Sequence, residues 1–136
     1  MKKILSLALA MLMLISMCAL VSCKDKEETM LYTEDVALGN GKTEFTFTVE
    51  HMDGKRVVFT IKTDKTTLAD ALIEHDLLEG EDGPYGIYVK KINGITHDYD
   101  KDYTYWALYI GDDYAMTGAD ATEIENGASY TFKATR

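Results

Sequence analysis

The chain has 136 residues and is acidic, with 23 Asp and Glu residues against 14 Lys and Arg residues and a formal net charge of −9. This charge argues against nucleic acid as a partner, because phosphate backbones bind basic surfaces. Anionic lipid head groups would also repel such a chain, so we expect any membrane-attached domain to stand away from the lipid surface.

The first 22 residues have the layout of a secretory signal peptide. Lys2 and Lys3 precede a nearly unbroken apolar run over residues 4–21, and a charged start before a short apolar core is typical of such signals. The run ends in Leu-Val-Ser before Cys23, which resembles the lipobox of bacterial lipoproteins. The resemblance implies cleavage before Cys23 and lipidation of its thiol, and a diacylated cysteine is a lasting anchor. An uncleaved signal anchor with an incidental cysteine is the alternative.

The sequence therefore predicts three parts. They are a lipoprotein signal peptide (residues 1–22), a lipidated N-terminus with a tether (residues 23–36) and one domain (residues 37–136). Without the signal, 12 Lys and Arg residues face 23 Asp and Glu residues, and the net charge becomes −11. Cys18 leaves with the signal, so the mature domain has no disulfide and no free thiol. We expect it to be extracytoplasmic and lipid-anchored to a bacterial membrane.

Period-two alternation of apolar and polar residues predicts strands along most of the domain. It runs over residues 45–49 and 57–61, on either side of the turn dipeptide Asp53-Gly54, and so predicts a β-hairpin. Three more strands are predicted over residues 85–92, 103–110 and 129–134.

Residues 67–78 instead have the helical period. Thr66 or Thr67 can cap this helix, and its apolar face carries Leu68, Ala71, Leu72 and His75. The predicted order is β-β-α-β-β-β. It indicates an α+β fold of the β-grasp type, with a mostly antiparallel or mixed sheet of about five strands and one helix packed on one face. An all-β sandwich is the alternative, but it leaves the amphipathic helix unexplained.

No catalytic constellation is evident, and we expect no enzymatic activity. His51, His75 and His97 are far apart, with no pair at metal-ligand spacing. We expect His75 to be half-buried on the helix and His97 to be solvated in a polar loop.

Three alternating aspartates follow His97. Asp98, Asp100 and Asp102 occupy the first, third and fifth positions of a calcium loop, but Tyr103 replaces the turn glycine and Gly111 the closing glutamate. A solvated acidic loop is the favoured interpretation, and no metal site is predicted.

Aromatic residues concentrate between Tyr85 and Tyr114. On the strand over residues 103–110, Tyr103, Tyr105 and Tyr109 lie on one side and Trp106 on the other. One side must be core, while the other offers the rigid contact area typical of binding sites. The alternative is a half-exposed sheet that is rich in tyrosine because tyrosine suits strands.

Several segments after Thr66 carry a family resemblance. They are TLADALI (67–73), GPYGIYV (83–89), ING (92–94), YWALYI (105–110), MTGA (116–119), IENG (124–127) and YTF (130–132). Together they resemble the C-terminal β-domain of transcobalamin and intrinsic factor, which also occurs alone in bacterial surface lipoproteins as a domain of unknown function, DUF4430.

The resemblance implies a β-grasp-like ligand-binding domain over residues 37–136. The candidate ligand-binding residues that it implies are Pro84, Tyr85, Tyr88, Trp106, Tyr109, Met116 and Thr117. Trp106 is alternatively a core residue. The implied ligand is cobalamin, another corrinoid or a related planar cofactor, with no covalently bound group apart from the lipid.

This chain lacks the helical domain that supplies the other half of the cobalamin site in the vertebrate proteins. A lone domain covers only one face of a corrinoid, so we expect a partner such as a transporter or a second surface lipoprotein. A cell-surface protein–protein interaction module without a small-molecule ligand is the alternative.

Overall fold

The computed structural model describes residues 28–136, so the predicted signal peptide and the lipidation site at Cys23 lie outside the described residues. The described chain is mostly β-structure with two short helices. The elements in chain order are β1 (Val36–Leu38), β2 (Thr43–Glu50), β3 (Arg56–Thr63), α1 (Leu68–Glu74), β4 (Leu78–Gly83), β5 (Gly86–Ile92), β6 (Ile95–Thr96), α2 (Tyr99–Asp102), β7 (Tyr105–Ile110), β8 (Asp113–Tyr114) and β9 (Ser129–Thr135). No helix in this part of the chain is long and apolar enough to cross a membrane.

The strands form two sheets. Six strands pair in the order β1-β3-β2-β9-β7-β8, and β4, β5 and β6 form a separate three-stranded sheet. The larger sheet is mixed, because β1 pairs with β3 and β2 with β9 in parallel while its other pairs are antiparallel. The predicted count of about five strands is wrong. The strands β1, β6 and β8 are only two or three residues long, too short to show alternation, and β4 is almost entirely polar and glycine-rich.

The core lies on one face of the six-stranded sheet. The predicted hairpin is confirmed as β2 and β3, whose register places Phe47 opposite Phe59 with ring centroids 5.6 Å apart. Phe132 of β9 meets Phe47 edge to face at 6.1 Å. Burial of each such side chain contributes about 1.5–3 kcal/mol to stability. The alternating pattern that the sequence shows in β2 and β3 therefore marks the true core face.

Helix α1 packs on this core through Leu68, Ala69, Ala71 and Leu72, which are buried. The predicted cap is confirmed at Thr67, whose Oγ1 accepts a hydrogen bond from the Asp70 amide at 3.3 Å. The helix ends at Glu74, four residues before the predicted end. Asp76 adopts a left-handed φ of 57°, which turns the chain into β4.

The chain before β1 is packed against the domain. The Leu31 amide donates to the carbonyl of Asn93 at 3.0 Å, and the Tyr32 ring meets Phe59 edge to face at 5.5 Å. Asn93 and Gly94 form the predicted tight turn between β5 and β6, with φ angles of 50° and 83°. Leu31 and Tyr32 are thus packed although they lie in the segment for which the sequence pattern predicts a tether.

Candidate functional site

One end of the domain is built from the tip of the β4–β5 hairpin and the loop that follows β8. We call residues 84–88 and 114–117 the hairpin–loop surface. Asp120 joins its two parts, because its Oδ2 accepts from the Ile87 amide at 3.2 Å. Gly86 has a φ of 106°, and a Cβ there would come within 2.7 Å of Asp120 Oδ1. Only glycine allows this close approach of hairpin and carboxylate.

The start of α1 also holds the loop of this surface in place. Its continuation lies against the start of α1, where the amides of Leu68 and Ala69 donate to the carbonyls of Thr122 and Ala119 at 2.9 and 3.0 Å. These amides have no acceptor within the helix itself. The loop therefore completes the hydrogen bonding of the helix, and the helix in turn holds the loop in place.

Large side chains on this surface point into solvent. Tyr85 is 98% exposed and Met116 is 93% exposed, while Tyr114 and Tyr88 are about half exposed. Soluble domains rarely gather exposed apolar side chains without a contact to make. A small cavity of about 190 Å³ lies beneath, and its lining includes Tyr88, Trp106, Tyr114 and Gly118.

The predicted site residues separate into two groups. Pro84, Tyr85, Tyr88, Met116 and Thr117 all belong to the hairpin–loop surface and are exposed. The other two candidates are Trp106 and Tyr109 on β7.

Trp106 is a core residue, the alternative that the sequence left open. It is only 6% exposed, and its Nε1 donates to the Ile95 carbonyl at 3.1 Å. Tyr109 is half-buried on the opposite face of β7, and its ring packs edge to face on Tyr114 with centroids 5.7 Å apart. Of the two, Tyr109 therefore reaches the hairpin–loop surface through Tyr114, whereas Trp106 lines the cavity below it.

A second concave region lies beside the N-terminal segment. This groove of about 510 Å³, which we call the histidine groove, is lined by Glu28, Thr29, Met30, Thr33, His51, Met52, Asp53, Ile95 and His97. Sequence reasoning missed it. Its residues come from three separate segments, residues 28–33, 51–53 and 95–97, which only the folded chain brings together.

The prediction that His97 is solvated is wrong. His97 is 9% exposed, and its ring meets Trp106 with centroids 4.9 Å apart. The residues after it form the short helix α2, which is solvent-exposed as predicted for the acidic segment but is not a loop. Asp98, itself buried, caps this helix by accepting from the Asp100 amide at 3.1 Å and also lies 3.6 Å from the ammonium of Lys90. The cap folds the segment inward and so buries His97.

Both groove histidines are held in buried polar contacts. His97 Nδ1 lies 2.9 Å from Thr104 Oγ1, and His51 Nε2 lies 3.2 Å from the amide nitrogen of Asn93. Burial lowers the pKa of His97 and of His51, which favours the neutral imidazole. Hydrogen bonds from Thr104 lower the pKa of Asp102, which stays ionised beside them.

The third histidine, His75, lies outside the groove; it is half-buried as predicted, but its Nε2 has no hydrogen-bond partner among residues 28–136. His75 is half-buried at the end of α1, and its Nε2 is close enough to Gly39 that a Cβ at that glycine would come within 2.9 Å. Among residues 28–136, no three His, Cys, Asp or Glu side chains are arranged to hold a metal ion. His75 is thus a packing residue of the helix end.

Comparison with known proteins identifies a family and two solved structures with a similar fold. The model of a domain of unknown function, DUF4430, matches residues 65–136. A crystal structure of a Ruminococcus gnavus protein, provisionally described as metal-binding, is 28% identical with a TM-score of 0.66, and the match covers 70% of this chain and 98% of that one. No curated protein gives a significant match.

Haptocorrin in complex with Cbi also has a similar fold. It is 19% identical with a TM-score of 0.53, and the match covers 73% of this chain and 26% of that chain. This chain therefore spans about a quarter of the length of haptocorrin. At this identity the likeness shows the fold alone.

Proposed function

The chain belongs to the DUF4430 family, and we propose that it is a ligand-binding module whose contact surface is the hairpin–loop surface. One observation carries the proposal. Tyr85 and Met116 are almost fully exposed although both are large and apolar, at an end of the domain that Asp120 makes rigid. A rigid surface with exposed rings loses little conformational entropy when it binds.

The ligand class that fits this surface is a planar cofactor such as cobalamin or another corrinoid. Tyrosine rings and a flexible thioether give broad, amphipathic contact to a large flat ligand. The fold shared with haptocorrin, whose structure contains Cbi, supports the same class. One domain contacts only one face of such a ligand, so the affinity is weak without a partner protein that covers the other face.

The setting of the module is part of the proposal. Lipidation of Cys23 anchors it outside a bacterial membrane, where it acts without catalysis and delivers its ligand to a transporter or a second surface lipoprotein. The parallel central pair of β2 and β9, with α1 packed on the core, supports a β-grasp-like ancestry for the domain.

Titration with cobalamin tests this function. The mature chain carrying Cys23→Ser is titrated while the fluorescence of Trp106, the only tryptophan, is recorded. We expect saturable quenching after correction for cobalamin absorbance. Tyr85→Ala and Met116→Ala each weaken binding about tenfold, the effect of losing about 1.4 kcal/mol of contact. Tyr99→Ala is the control, because Tyr99 is another exposed tyrosine but lies on α2. Quenching that never saturates removes the corrinoid.

A protein partner is the second candidate function, favoured by the same exposed tyrosines, since Tyr and Met are enriched in protein interfaces. The acylated protein is used to capture partners from membrane extracts in parallel with the Tyr85→Ala and Met116→Ala variants. A partner that the wild-type protein retains and both variants lose supports this function. Capture that the variants leave unchanged contradicts a role for the hairpin–loop surface.

A further inference from the structure

The histidine groove concentrates the soft side chains of the domain. From Cys23 onward the chain has three methionines and three histidines. Two of each, Met30, Met52, His51 and His97, line this one groove. Among residues 28–136, no lysine or arginine lines it, whereas the carboxylates of Glu28, which lies 3.7 Å from the Lys91 ammonium, and of Asp53 do. The groove is therefore suited to a cation.

The hydrogen bonds around His97 determine which of its nitrogens carries the proton. The Thr104 hydroxyl donates to Asp102 Oδ1, and an ionised carboxylate only accepts. The Thr104 oxygen must then accept from His97 Nδ1, 2.9 Å away. The proton of the neutral ring is on Nδ1, and Nε2 carries a lone pair.

This lone pair has no partner among the described residues. His97 Nε2 is buried and makes no hydrogen bond, and the residue as a whole is only 9% exposed. An unsatisfied buried polar atom destabilises the fold unless a ligand satisfies it. Here Nδ1 of the imidazole donates to a hydroxyl that is itself bound to a carboxylate. Proteins use this arrangement to hold the ring so that its other nitrogen can bind a metal.

His51 is oriented differently and forms a wall of the groove. The Asn93 side chain accepts from the Tyr32 amide and donates to the Tyr32 carbonyl, both at 2.9 Å. Its second amide hydrogen is then directed at His51 Nε2, whose lone pair is used. Of the two groove histidines, only His97 presents a nitrogen lone pair without a partner.

We propose that the histidine groove is a binding site for a soft monovalent cation, Cu(I), with His97 Nε2 and the thioethers of Met30 and Met52 as its ligands. Thioethers select Cu(I) among biological cations, and imidazole also binds copper well. Zinc prefers thiolate, imidazole and carboxylate ligands, and the thioether does not belong to that set. The methionine side chains are flexible and can adjust to the ion. Asp102 and Thr104 are positioning residues, since they act on the ion only through His97.

Silver nitrate is the probe, because Ag(I) has the ligand preference of Cu(I) and is not oxidised in air. The mature Cys23→Ser chain is labelled with ¹³C at the methionine methyl groups and titrated in chloride-free buffer. We expect the Met30 and Met52 resonances to shift together and to be complete at one equivalent. The Met116 resonance is the internal control and stays in place until excess silver is present, because Met116 lies on the hairpin–loop surface.

Affinity for Cu(I), measured anaerobically by competition with a chromophoric chelator, identifies the ligands. Met52→Leu, Met30→Leu and His97→Gln each weaken binding at least about tenfold, and Asp102→Asn does so about 10–100-fold through the orientation of His97. Met116→Leu and His75→Gln are the matched controls and leave the affinity unchanged. Met52 is partly exposed, so its variant folds even if a buried variant does not.

Three results would overturn the site. They are the absence of a one-equivalent shift, a Met116 shift at the same silver concentration as Met30, and unchanged Cu(I) affinity in Met52→Leu. Zn(II) binding in the groove without Ag(I) binding would also contradict it. None of these results bears on cobalamin binding at the hairpin–loop surface, so the two proposals fail separately.

Discussion

The hairpin–loop surface and the histidine groove differ in how the chain builds them. Two short segments, residues 84–88 and 114–117, form the first, and its side chains point outward. The second is assembled from three segments, and its histidines are buried beside Asn93 and Thr104. Chemistry contributed by a continuous segment can be read from that segment, whereas chemistry gathered by folding cannot. The difference also means that the two regions can be damaged separately.

The largest separate effect is expected at Asn93, which supports the groove alone. Asn93→Ala removes the hydrogen bonds to Tyr32 and His51 from a fully buried position. We expect a loss of about 2–4 kcal/mol in the free energy of unfolding, because several buried polar groups lose their partners at once and alanine is strained at the left-handed φ of 50°. Urea denaturation measures this loss, and the Met30 methyl resonance should shift while that of Met116 does not.

Asn126→Ala is the control for this variant. Asn126 is exposed and accepts one hydrogen bond, from the Glu44 amide at 2.9 Å. Its loss should cost less than about 1 kcal/mol. Equal losses in the two variants would show that burial of the Asn93 network does not support the groove.

The hairpin–loop surface should be broken by Gly86→Ala. The new Cβ would meet the Asp120 carboxylate, and the left-handed φ of 106° adds strain. We expect the free energy of unfolding to fall by about 1–3 kcal/mol. Hydrogen exchange should become faster at the Ile87 amide, which donates to Asp120 in the wild-type protein. Gly54→Ala shares the positive φ, 90°, but has open space around it. The difference between the two variants therefore isolates the contact with Asp120, and identical losses would contradict it.

A smaller effect is expected at the start of α1, which holds the loop of the hairpin–loop surface. Thr67→Ala removes the cap on the Asp70 amide and should cost about 1 kcal/mol. Thermal unfolding measures the cost, and Thr66→Ala is the neighbouring control without a capping side chain. Exchange at the amide of Leu68 should rise, whereas the groove methionine resonances should not move. A larger loss of stability from Thr66→Ala than from Thr67→Ala would show that Thr67 is not the cap.

The smallest and most gradual effect is that of pH on the groove in the metal-free protein. Burial lowers the pKa of His51 and of His97 below the ordinary 6.5. The unfolded chain then takes up protons before the folded chain does, so stability falls as pH decreases through about 6.5. The facing charges are Asp53 and Lys55 at His51, and Asp102 and Glu28 at His97.

Denaturation in urea at pH 7.5 and pH 5.5 measures this slope. His97→Gln should flatten it, because one of the two titrating rings is gone. A stability that rises towards pH 5.5 would contradict neutral, buried imidazoles in the groove.

Much of the fold follows from local patterns in the sequence. Alternation along β2 and β3 identifies the core face, Thr67 marks the helix start, and Asn93-Gly94 marks a turn that needs positive φ at both positions. The end of α1 could not be predicted in the same way. Leu77 and Leu78 continue the helical period, and only the left-handed turn at Asp76 shows that they leave the helix.

The candidate sites also differ in whether the sequence could identify their residues. Tyr85 and Met116 could be identified because a family resemblance covers their own segments. His97 could not, because its burial depends on a cap made by Asp98 and on contact with Trp106, nine residues further along the chain. An alternating run of aspartates favours solvent, and only the folded α2 shows that the first of them serves as a helix cap.

The position of β9 has a consequence for how the protein is made. This strand is the last in the chain, yet it lies between β2 and β7 and pairs with both. Until residues 129–135 are available, the hairpin of β2 and β3 has no bridge to β7, and the main sheet cannot close. Contacts between such distant parts of a chain form slowly. Residues 129–135 are among the last of this sequence to be synthesised, yet they complete the middle of the main sheet, so we expect this sheet to form only after they are available.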